Sequence, residues 1–248
     1  MKLKQKITTS AQLSVILLTA YAVKSFYSTA GVNDLRWILA PTAVLVELIT
    51  GKQFTFESQA GYISADHTFL IAASCSGVNF LIISFLVLAL GKIWRERPTE
   101  VEWRFLPIAA AVAYVSTLAA NTTRIVVALY SQNVETSWFD HDELHRVQGI
   151  VIYFGFLLAL FAASERFASR SGRVWNSPSS VSRRSAYVLA IYYAVTLGIP
   201  ILRGSYRESA FWQHSIVVVA IPIGLTLLFA ICRATRNTQT PSAGGKLP

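Results

Sequence analysis

The chain has 248 residues, 53% of them hydrophobic and only 14% charged, where a soluble domain carries about 25% charged residues. With a mean hydropathy of +0.46, this composition excludes an ordinary soluble enzyme and makes lipid the main solvent. The net charge of +9 sits in short pieces between apolar runs, which is a pattern of membrane topology rather than a nucleic-acid surface.

A spanning helix needs about 20 mostly apolar residues. The runs 7–27, 35–50, 70–91, 105–130, 146–164, 186–202 and 216–232 are the candidates, in chain order. The basic leader MKLKQK flanks the first run, which is read as a retained anchor because STAG at 28–31 is a poor cleavage site. The run 35–50 is the weakest. As a helix it is about 24 Å long, and it contains Pro41 and Glu47. If it crosses, Lys2, Lys4 and Lys6 lie on the opposite side from the other basic segments. If it lies on the outer face, six spans remain and the bases agree, which is the preferred arrangement.

The segments KIWRERPTEVEWR (92–104), RFASRSGRVWNSPSSVSRR (166–184) and RATRNTQTPSAGGK (233–246) are basic and are assigned to the cytoplasm. SQNVETSWFDHDE (131–143) and residues 53–74 contain no Lys or Arg and are assigned outside. Within 53–74, Phe54 and Phe56 alternate with polar neighbours and Gly61 punctuates. That texture predicts an extended, hairpin-like lid leading into a helix that begins near Ser76. The expected architecture is therefore an all-α, polytopic transmembrane helix bundle of six to eight spans with a small extracytoplasmic lid segment. Residues 1–235 form one transmembrane domain, and 236–248 a disordered cytoplasmic tail.

Three places could carry chemistry. Cys75, in SCSG, falls where a helix amino terminus is expected, and unpaired N–H groups there favour a thiolate. Ser74 and Ser76 leave space around the sulfur, and Gly77 lets another backbone or a substrate approach. The bland reading is a packing thiol, and Cys232, at the end of the last run with no polar company, is read that way. Arg124 lies in the apolar stretch LAANTTRIVVALYS with Asn121 one turn earlier on the same face. A guanidinium at that depth is costly unless paired, so it marks a site unless it snorkels to the interface. His145, four residues after His141 and four before Gly149, stands where the acidic outer segment enters the membrane. An imidazole there suits proton transfer near neutral pH, and the glycine allows close approach of a neighbouring helix. The plainer alternative is an interfacial histidine. Together, a thiol, a guanidinium and an imidazole at the outer ends of three helices suffice for acyl transfer.

These residues carry a family resemblance. CSG at 75–77, NTTR at 121–124 and HRVQG at 145–149 resemble the C-S-G, N-x-x-R and H-x-x-x-G motifs of the exosortase/archaeosortase family. Order and spacing agree over a motif-bearing core of about residues 50–165. The resemblance implies a multi-pass enzyme of the cytoplasmic (inner) membrane, a cysteine transpeptidase with its active site on the extracytoplasmic side. Its substrates would be exported proteins with a carboxy-terminal sorting signal: a Pro-Glu-Pro-type tag, a transmembrane helix and a basic cluster. Carried over, Cys75 is the nucleophile, Arg124 the oxyanion stabiliser or thiolate partner, and His145 the acid/base. Asn121, Ser76, Gly77 and Gly149 match flanking, substrate-binding positions. A thioester at Cys75 would pass to an outer-surface acceptor or to water. Neither a metal nor another cofactor is implied, and the partners are substrate proteins and the bilayer, with no nucleic acid.

Two rivals stand beside this reading. HDELH places His141 and His145 at the spacing of a zinc pair with Asp142 in the place of a base, making an intramembrane metalloprotease. Glu47, Asp66 and His67 are its candidate third ligands. A non-enzymatic transporter or assembly protein would use Arg124 as a ligand and Cys75 as filler.

Overall fold

The computed structural model describes residues 2–95, 102–131, 141–170, 180–202, 204, 207 and 209–238. The chain is mostly helical: α1 (Lys2–Thr29), α2 (Arg36–Thr50), α3 (Val78–Arg95), α4 (Phe105–Ser131) and α5 (His141–Arg170) come first. They are followed by α6 (Ser180–Tyr193), a π turn (Ala194–Gly198), α7 (Ile199–Leu202) and α8 (Ser209–Thr238). Among the described residues, four stretches are long and apolar enough to cross a membrane: Ile7–Thr29, Ala73–Trp94, Phe105–Ser131 and Glu143–Ala168. Ala186–Leu202 and Ser215–Ile231 are shorter apolar helices. The protein is thus a multi-pass membrane protein. The polar segment 92–104 is described only in part, and 132–140 and 171–179 lie outside the described residues, as do the tail residues 239–248. Residues 236–238, placed in the disordered tail by composition, are the last turn of α8.

Large apolar side chains such as Leu18, Leu48, Ile108, Val115 and Ile216 point outward, while Gln12, Thr117, Asn121 and Glu165 are buried. That inversion of the soluble pattern is what a lipid-solvated bundle requires. Helices come together through small residues: along α4 the buried stripe is Ala109, Ala113, Thr117, Ala120 and Ala128. With little side chain between them, α3 and α2 pack closely on α4, and dispersion contacts replace the hydrophobic drive that lipid removes.

The segment after α2 is extended, as its alternating texture predicted, in a chain that is otherwise mostly helical. It is a three-stranded antiparallel meander, β1 (Phe54–Glu57), β2 (Gly61–Ser64) and β3 (Leu70–Ile71), rather than a single hairpin. Phe54 pairs with Ser64 and Phe56 with Tyr62, and β2 continues to β3 through Tyr62 opposite Ile71. Glu47 ties the meander to α2 by accepting the Phe54 N–H at 2.7 Å. Gly51, left-handed at φ 72°, ends α2 by donating to the Glu47 carbonyl. A run that composition treated as one span, 70–91, therefore begins with a strand. β-sheet pairing has captured the Leu70–Ile71 backbone before helix can form.

Candidate active site

Cys75 sits in a 3₁₀ turn, Ala73–Ser76, in which its N–H donates to the Ala72 carbonyl at 2.9 Å. Gly77 then turns left-handed (φ 72°), and α3 starts at Val78. The cysteine thus belongs to the turn just before the helix, where SCSG precedes the apolar run. The glycine is required twice over. Beyond its backbone conformation, a Cβ there would lie 3.2 Å from Thr117 Cγ2 and 3.3 Å from Asn121 Cγ. Two side chains of α4 approach it, where the sequence suggested another backbone or a substrate.

Asn121 is fully buried and holds the turn in place, donating through Nδ2 to the Cys75 carbonyl. Its Oδ1 accepts a hydrogen bond from Tyr153 Oη at 2.7 Å. One turn further along α4, Arg124 reaches α5. Its Nη2 lies 3.0 Å from His145 Nε2, its Nη1 donates to Tyr153 Oη at 3.5 Å, and its Cζ is 5.6 Å from the centroid of the Tyr153 ring. The guanidinium is paired within the bundle instead of snorkelling. Because a guanidinium only donates, the contact is a hydrogen bond in the tautomer whose Nε2 carries the lone pair.

Gly149 makes this crossing possible. A Cβ at 149 would lie 3.1 Å from Arg124 Nε, so the space that the sequence reserved for a neighbouring helix is filled by the arginine side chain. Arg124 Nε itself is buried without a hydrogen-bond partner.

Four helix-borne groups, Asn121, Arg124, His145 and Tyr153, therefore form one network where the end of α4 meets the starts of α3 and α5. Tyr153 was missed by sequence reasoning. The signal was available: His145, Gly149 and Tyr153 are spaced i, i+4, i+8 and share a face. Its ring stacks on Phe80 at 5.2 Å. α1 also contributes, for Lys24 Nζ donates to Asn79 Oδ1 at 2.6 Å.

A cavity of about 260 Å³ opens beside this network. Ser74, Gly77 and Asn79 line it from the turn and α3, Arg124 from α4, and His145 and Arg146 from α5. No acidic side chain is among its lining residues. Cys75 itself is half-buried and packs beside the core, flanked by the wall residues Ser74 and Gly77 rather than standing in the wall. Ser76 is fully buried with an unpaired hydroxyl.

The other candidate ligands are not gathered here. Glu47 is bonded to the sheet, and Asp66 is paired with Lys52 at 2.7 Å, which with Ser64 and Thr68 holds its carboxyl below the usual range. His67 stands in the tight turn between β2 and β3 with φ 54°. His141 and Asp142 begin α5, but their side chains, like that of Cys232, lie outside the described residues. Among the described residues no group of three His, Cys, Asp or Glu side chains could hold a metal.

Fold and site define a multi-pass membrane protein with a part-buried, cross-helix polar network at one end of its bundle. A family model described as transmembrane exosortase matches residues 3–162, and the chain belongs to that family. No curated protein and no solved structure matches it.

Proposed function

We propose that the chain is a membrane cysteine transpeptidase that cleaves the carboxy-terminal sorting signal of exported proteins. The observation that carries this reading is the Arg124–His145 contact at 3.0 Å, in a cavity whose wall includes residues on both sides of Cys75. In the resting state Arg124 occupies the Nε2 lone pair of His145. When a substrate carbonyl enters, the guanidinium turns to its oxygen and frees Nε2. The imidazole takes the thiol proton as sulfur attacks, and the developing oxyanion is held by Arg124. The imidazolium then protonates the departing amine, the C–N bond breaks, and a thioester remains on Cys75. An acceptor amine at the outer surface, or water, gives up a proton to His145 and releases the product. Asn121 fixes the Cys75 turn, and Tyr153 fixes Asn121 and Arg124 together.

The topology that goes with this chemistry has six spans, the four long helices and the two shorter apolar ones, in the cytoplasmic membrane. α2, with 15 residues and so about 22 Å long, lies with the small sheet at the outer face. The site then faces outward, where a sorting tag arrives. The test is a reporter ending in a Pro-Glu-Pro signature, a transmembrane helix and a basic cluster, expressed with the protein. The expected result is a shortened reporter whose appearance requires Cys75 and is indifferent to chelators. Processing that survives in Cys75→Ala ends the assignment, and chelator sensitivity of that residual activity would move it to His141 and His145. A membrane-impermeant thiol reagent should label Cys75 in intact cells; labelling only after permeabilisation would invert the topology.

A further inference from the structure

The family match ends at residue 162, yet the cavity beside the network is also lined by Tyr192 and Thr196. They stand at the end of α6 and in the π turn that follows it. π turns are rare and occur disproportionately at functional sites. Tyr192 is only 6% exposed, its ring held edge-on by Phe154 at 5.2 Å and by Tyr193 at 5.6 Å. Its hydroxyl has no hydrogen-bond partner among the described residues. Neighbouring tyrosines differ. Tyr153 donates to Asn121, Tyr187 to the Leu86 and Val87 carbonyls, and Tyr193 to the Val219 carbonyl. Tyr192 Oη is not one of the fully buried polar atoms that lack a partner, so the ring is packed while the hydroxyl stands open at the cavity wall, able to bond what enters.

The size of the cavity says what the phenol meets. Its 260 Å³ falls just below the roughly 300–1,000 Å³ of ordinary ligand pockets, and a helix with side chains is about 10–12 Å across. A substrate helix does not fit, whereas a short extended segment does. Extended backbone carries carbonyls with no internal partner, and these match an unpaired O–H donor. Thr196 already donates to the Tyr192 carbonyl at 2.7 Å, so it contributes bulk rather than a hydrogen bond. Phe80, Ile83 and Ile150 make the adjoining wall apolar.

We infer that Tyr192 is a substrate-binding residue. Its hydroxyl donates to a backbone carbonyl of an extended peptide segment laid in the cavity, and Thr196 limits the side chain that the segment brings. This rests on the peptide-cleaving role of the site, and deepens it by assigning recognition to the part of the chain beyond the family match.

Two measurements in the native host, which makes its own substrates, test it. First, p-benzoylphenylalanine replaces Tyr192 in the Cys75→Ala protein, and adducts formed on irradiation are sequenced. The expected adduct is to a peptide segment just before the carboxy-terminal transmembrane helix of an exported protein. Lipid adducts alone, or the same adducts from the probe at exposed Trp212, overturn the inference. Second, Tyr192→Phe keeps the ring packing and removes only the hydroxyl. Processing should slow by roughly three- to tenfold at low substrate expression and recover when substrate is overproduced. An equal deficit at both levels marks a structural role, and no deficit marks no role; either overturns it. Normal processing in Cys75→Ala would remove the catalytic reading alone, since the adduct at position 192 reports binding without chemistry.

Discussion

Two parts of the bundle treat their polar groups in different ways. Where α3, α4 and α5 meet, Asn121, Arg124, His145 and Tyr153 are bonded across helices, side chain to side chain or to the Cys75 backbone. In the last third of the chain, Tyr187 and Tyr193 donate to backbone carbonyls of other helices, while Thr196 and Ser215 donate to carbonyls one turn back in their own helices, each at 2.7 Å. A local bond of this last kind satisfies a hydroxyl and constrains nothing beyond its own turn. A cross-helix network has to be assembled by three helices at once, and cutting one member leaves others unpaired in a medium of low dielectric. The difference separates polar groups that fix a geometry from polar groups that are merely accommodated.

The sharpest way to break the comparison is at the three chemical groups of the first region, thiol, guanidinium and imidazole. Cys75→Ala should remove processing altogether, a loss on the order of 10⁴–10⁶ in rate if the thiol is the nucleophile, while the protein accumulates and inserts normally. Arg124→Ala should cost on the order of 10²–10³. Arg124→Lys should recover little, because an ammonium cannot reach both His145 and Tyr153 with fixed donors. Reporter cleavage against membrane-inserted protein, quantified on the same blot, measures both. A lysine variant at wild-type rate would mean that charge alone, without the fork, is what the site uses. Within α5, His145→Ala should be far more damaging than His141→Ala, and the reverse ranking would transfer the proton-handling role to the earlier histidine.

A finer cut uses two glycines of the same helix. Gly149 faces Arg124 Nε at 3.1 Å from a Cβ position, whereas Gly155 has nothing within 4 Å of its own. Gly149→Ala should displace the guanidinium by a few tenths of an ångström and reduce processing roughly tenfold, since small misplacements of a catalytic group are expensive. Gly155→Ala should be silent or slightly stabilising, as alanine is the better helix former by about 0.5–1 kcal/mol. Equal effects would mean that the requirement at 149 is helix packing and not the arginine.

These glycines also show how far the sequence could be read. Composition was enough to locate the apolar helices, because lipid burial demands long apolar runs wherever a helix crosses. Spacing put His145 and Gly149 on one face, because 3.6 residues per turn is a local rule. What filled the space over Gly149 was a long-range fact: it depends on how α4 docks on α5, and no pattern within either helix records that. The same limit hid Tyr153, whose partners lie 32 and 29 residues away. It hid Tyr192 more completely, because a free hydroxyl is defined by the neighbours it lacks. Leu70–Ile71 lay where two readings overlapped, the extended segment 53–74 and the apolar run 70–91. A short apolar run reads alike as strand or as helix start, and only its pairing with Tyr62 and Ile63 decides.

The smallest effects are expected outside the network, and they complete the contrast. Ser215→Ala removes a hydroxyl that bonds only to its own helix, and processing should be unchanged. Asp66→Asn is the more pointed case, because a metal-dependent site would need this carboxylate. Lys52 first, then Ser64 and Thr68, hold Asp66 in its charged form below the usual carboxylate range. A depressed value stabilises the fold above the pKa of the unfolded chain, about 3.9, and that stabilisation is lost only as pH falls through the still lower folded value. No titration of Asp66 therefore falls between pH 5 and 8. The Lys52–Asp66 pair is exposed, 39% and 47%, so water and salt screen it. Asp66→Asn should leave the processing rate and its pH profile between 5 and 8 unchanged. A loss comparable to that of Gly149→Ala would instead place the sheet inside the catalytic apparatus and erase the distinction between a wired end of the bundle and its passive surroundings.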